Sequence, residues 1–125
     1  MAEAFYRQLA GSYLATSAGT LANDNDPPLA QALAVMDELG IDMRSQSSQR
    51  LSQSLIENAD LVILFPTTYN PPYIHENSAT IEWNNSDPYY YSGDDQLAFM
   101  RRTRDDIRSR VVALIDQQTQ AAKPF

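Results

Sequence analysis

Leu61-Val62-Ile63-Leu64-Phe65 is an apolar run without polar alternation. A strand with one wet face alternates; an unbroken run reads as a strand buried on both faces, the habit of parallel sheets between helices. Just upstream, Leu51, Leu55, Ile56 and Ala59 have helical spacing, with Ser52 placed to cap them. Downstream, Pro66 through Asn77 reads as a long proline-punctuated loop, and Thr80-Ile81-Glu82-Trp83 as a brief further strand. The longest helix is expected over 95–118, with Phe99, Thr103, Ile107, Val111 and Leu114 inward. On its wet side Arg101/Asp105, Arg102/Asp106 and Asp106/Arg110 are spaced as i,i+4 pairs, so its arginines read as a solvated face rather than an anion patch.

Toward the N-terminus, Met1–Ala10 reads as a helix with Phe5 and Leu9 on one face, ended by Gly11. Tyr13–Ser17 reads as a short strand. Asn23-Asp24-Asn25-Asp26-Pro27-Pro28 becomes a helix start, with Asp26 as cap and proline at the first helical position. That helix carries Leu29, Leu33 and Met36 on one stripe and stops at Gly40; Ile41–Arg50 reads as a polar surface connection. Helices alternating with strands indicate the α/β class, a small parallel sheet with helices on both faces, in one domain spanning 1–125. No internal repeat is visible.

Composition excludes several functions. The net charge of −7 disfavours nucleic acid and acidic membrane surfaces. No apolar run approaches the roughly 20 residues of a spanning helix. No charged-then-apolar leader precedes Phe5, so a cytoplasmic location is the expectation. Cysteine is absent, which removes disulfides, thiolate metal sites and thiol chemistry from these 125 residues. The single histidine, His75, lies beside Glu76 with no further ligand at metal spacing, so neither a metal nor a cofactor is expected. A flavodoxin-like cofactor site finds no phosphate-cradling glycine loop after either strand.

The stretch Trp83-Asn84-Asn85-Ser86-Asp87-Pro88-Tyr89-Tyr90-Tyr91 holds the one candidate for chemistry. Asp-Pro alone is a turn signal. A carboxylate opening a Pro-Tyr-Tyr loop is also a candidate general acid over an aromatic-walled pocket, with Tyr89 and Tyr90 as walls or simply as packing.

The order of motifs resembles the low-molecular-weight protein-tyrosine phosphatase family, which includes one group of arsenate reductases. Met1-Ala2-Glu3-Ala4 resembles the start of the helix after the family's phosphate loop, and Thr16-Ser17-Ala18-Gly19-Thr20 its second strand and exit. Asp26-Pro27 and Leu39-Gly40-Ile41-Asp42 are similar to the ends of the next helix. Ala59-Asp60-Leu61-Val62-Ile63 resembles the third strand, Asp87-Pro88-Tyr89-Tyr90 the general-acid loop, and Arg104-Asp105-Asp106-Ile107 part of the last helix. Each piece is weak alone; their order makes them specific.

The resemblance implies a thiolate that attacks phosphorus, a Cys-x5-Arg loop that holds phosphate or arsenate oxygens, and Asp87 as general acid and base, with Tyr89 and Tyr90 binding substrate. The Cys-x5-Arg loop would lie immediately before Met1, together with a strand that is central in the family's sheet. The expectation is therefore a domain lacking its first central strand and its nucleophile, inactive as written, with exposed sheet edges available for self-association. An internal methionine taken as the start, or a degenerate gene, would each produce this pattern.

Within the covered region, Thr20-Leu21-Ala22 has no aromatic where some members stack one on phosphotyrosine. Gln46 stands where many members have a histidine supporting the phosphate loop, and it can still donate a hydrogen bond. Phe65–Pro72 has none of the cysteines of thioredoxin-coupled arsenate reductases, whereas Trp83…Asp87-Pro88 and Arg104–Arg108 are similar to reductases that use a low-molecular-weight thiol. Phosphatase-like, arsenate reductase-like and non-catalytic interaction domain are the three readings.

Overall fold

The computed structural model describes residues 1–11, 14–20, 22–65, 71–77, 79–84 and 93–122. They divide into two compact units, each considered by itself. One contains residues 1–17, 28–46 and the helix from 93; the other contains 18–27 and 47–86.

The first unit is helical. Helix α1 (Ala2–Ala10) ends at Gly11, whose φ of 64° lies in the left-handed region that glycine enters without steric cost. Its buried residues are Ala4 and Phe5, while Leu9, expected beside Phe5, is 40% exposed. Helix α2 (Ala30–Asp37) starts later than expected. Pro27 and Pro28 hold the residue before each of them extended, Leu29 is still at φ −58°, ψ 142°, and no side chain caps the helix. Asp26 is not the cap; its carbonyl accepts the Ser48 N–H at 2.8 Å. The buried stripe is Ala32, Val35 and Met36, with Leu29 and Leu33 half-buried beside it.

Helix α4 (Gly93–Ala122) packs against both α1 and α2. Met100, Arg104, Ile107 and Val111 form its buried face at four-, three- and four-residue steps. Phe99, Thr103 and Leu114, expected inside, are half-buried at the margin of that face. The core of this unit closes on Phe5, Val35, Met36, Met43, Met100 and Val111, each less than 2% exposed. Met43, together with buried Ile41, comes from the connection that reads as polar surface. Two apolar residues are enough to anchor it.

Residues 14–17 do not form the expected strand, and Tyr13 lies outside the described residues. A strand exists through its ladder, and the Ala15 carbonyl is instead taken by Nε and Nη2 of Arg7, at 3.0 and 2.7 Å. Leu14 is 95% exposed.

The second unit holds a two-stranded parallel sheet of β1 (Val62–Leu64) and β2 (Thr80–Glu82), with Ile63 opposite Ile81. All of Leu61–Phe65 is half-buried, not fully buried as the apolar run suggests. Burial on both faces needs layers on both; in the described residues β2 is the single strand partner of β1. Helix α3 (Gln53–Asn58) has Ser52 at the cap position, but the Ser52 hydroxyl pairs with the Ser54 hydroxyl instead of a backbone N–H. Asn77 closes its other end. Its amide nitrogen donates to the carbonyls of Ile56 and Ala59 at 2.9 and 2.7 Å, and its side-chain oxygen accepts the Ala79 N–H. The C-terminus of α3 is thereby joined to the entry of β2.

Within the expected loop after β1, Pro72–His75 forms a short 3₁₀ helix that buries Ile74. Trp83 packs edge-on against Phe65, ring centres 5.9 Å apart. Gly19 bridges Arg50, and the Asp24 carboxylate accepts the Arg50 N–H at 2.9 Å, so Asp24 ties together two segments distant in sequence. No helix among the described residues is long and apolar enough to cross a membrane.

Candidate functional site

Asp87, Tyr89 and Tyr90 lie outside the described residues, so the site can be built only from its surroundings. In the first unit the informative place is where α1 meets the chain leaving α2. Gly40, at φ 74°, turns that chain back, and the Ile41 N–H returns to the Met36 carbonyl at 3.0 Å. Arg44 then clamps the turn. Its guanidinium forks onto Asp37 at 2.9 and 2.6 Å and reaches Asp42 at 3.0 Å, while its N–H donates to the same Asp42 oxygen. These bonds hold both carboxyls below their usual range and raise the arginine.

Between α1 and this turn lies a cavity of about 370 Å³, walled by Ala4, Arg7 and Gln8 on one side and Asp42, Ser45 and Gln46 on the other. Ala4, Arg7, Gln8 and Gly11 line it because they share one helix face. Gln46, singled out as a substitute for a loop-supporting histidine, thus faces α1. Arg7, Gln8 and Ser45 carried no sequence signal beyond the i,i+4 spacing of Arg7 and Glu3, which form an ion pair at 3.4 Å.

The helix that follows the acid stretch is fixed by Arg104. This residue is 8% exposed, and its guanidinium donates to the Val35 carbonyl at 2.9 Å, to Glu38 at 2.6 Å and to Asp105 at 2.9 Å. Arg101 adds three bonds to the same Glu38 carboxylate. The hydrogen bonds from Arg101, then Arg104, hold Glu38 below its ordinary range. The solvated arginine face holds for Arg101, Arg102 and Arg108, which are exposed, but not for Arg104, which is buried; of the expected i,i+4 pairs, Asp106–Arg110 is seen among the described residues at 3.1 Å. An arginine falling on the apolar stripe between Met100 and Ile107 was the available clue.

No group of three or more metal-ligating side chains occurs among the described residues, and His75 is exposed.

A family model described as low molecular weight phosphotyrosine protein phosphatase matches residues 1–70. That span is more than half of the chain. This protein belongs to the low molecular weight phosphotyrosine protein phosphatase family. Among curated relatives of this family member, the arsenate reductase of Halalkalibacterium halodurans is 33% identical over 99 residues, covering 76% of this chain and 69% of that protein. The arsenate reductase of Bacillus subtilis is 31% identical over 122 residues, covering 89% and 81%. A solved arsenate reductase in its phosphate binding state matches with a TM-score of 0.75 at 29% identity, covering 93% of this chain and 86% of that one. The family fold is a small α/β fold with a parallel sheet and helices. Asp87 falls outside the matched 1–70 span, so its role rests on the motif alone.

Proposed function

We propose that residues 1–125 form one arsenate reductase-like domain that is inactive by itself. The observation that carries this reading is the absence of cysteine from all 125 residues. Chemistry of the family type begins with a thiolate, and these 125 residues hold none. Asp87 could protonate a leaving oxygen, but an acid without a nucleophile has nothing to protonate. Arsenate is the oxyanion favoured for the ancestry, because both curated relatives named above are arsenate reductases.

The test is to assay the purified chain with arsenate plus a low-molecular-weight thiol, and separately with an aryl phosphate. Rates equal to the buffer blank are expected in both. Turnover that disappears in Asp87→Asn would overturn the proposal and make Asp87 a working general acid.

A phosphatase reading is the second. It is favoured by the family description, and it would use Tyr89 and Tyr90 as walls for a phosphorylated aromatic substrate. Hydrolysis of aryl phosphate without arsenate reduction would select it.

A further inference from the structure

We draw no further inference here: the strongest candidate, the cavity between α1 and the turn after α2 that Arg7, Gln8, Ser45 and Gln46 help to wall, belongs to the site already described, and nothing in the structure shows what covers it.

Discussion

Arg104 on α4 and Glu38 at the end of α2 meet at 2.6 Å, and the same guanidinium reaches the Val35 carbonyl one turn earlier. A cation thus sits at the negative end of α2, where unpaired carbonyls and the helix dipole both favour it. The contact fixes the longest helix of the unit against a neighbour more than sixty positions away in sequence.

Replacing Arg104 by methionine keeps the volume and removes every one of these bonds. Val35 loses its side-chain donor, and Glu38 keeps only Arg101. The expected loss is about 1–3 kcal/mol of unfolding free energy by urea titration.

Acid should weaken the same joint. Arg101 and Arg104 hold Glu38 below its ordinary value of 4.5, so on acidification the unfolded chain takes up this proton first. The contribution of Glu38 is whole above that value and is lost as pH falls through the lowered folded one. The melting-temperature gap between the native chain and Glu38→Gln should be wide at about pH 7 and should narrow progressively as pH falls below 4.5.

Asn77→Ala removes both donors from the end of α3 and the acceptor for the Ala79 N–H. At about 1 kcal/mol per bond, a loss of roughly 2–3 kcal/mol is expected. Hydrogen exchange should quicken at α3 and at the entry to β2 while α1 is unaffected.

Phe5→Ala should cost about 3–5 kcal/mol, because a fully buried ring is deleted. Leu14→Ser, at a residue 95% exposed, should stay within about 0.5 kcal/mol. A comparable loss at Leu14 would mean that its side chain is covered in solution.

Much of this was legible in the sequence. Gly11 and Gly40 mark turns because a left-handed φ is cheap only for glycine, and the uncharged run at 61–65 announces a strand wherever it finds a partner. What was not legible depends on contacts between distant residues. Nothing local says that Met43 is core and its neighbour Arg44 a clamp, or that Arg104 turns inward while Arg108 stays exposed. Ala15 reads as strand until the Arg7 guanidinium claims its carbonyl. For the candidate site, the loop around Gln46 found its place against α1, whereas Asp87, Tyr89 and Tyr90 keep only their motif.

The four methionines are the only sulfur in this chain, and Met36, Met43 and Met100 sit together in the core of the first unit. A peroxide molecule reaches those thioethers only when that packing opens. Their conversion to sulfoxide therefore runs at the opening rate, or at the opening equilibrium when reclosing is faster. Each sulfoxide then brings a polar oxygen into a space shaped for a thioether and makes the next opening easier. With no thiol in these 125 residues to take the first hit, oxidation of the three core methionines would end in cooperative unfolding.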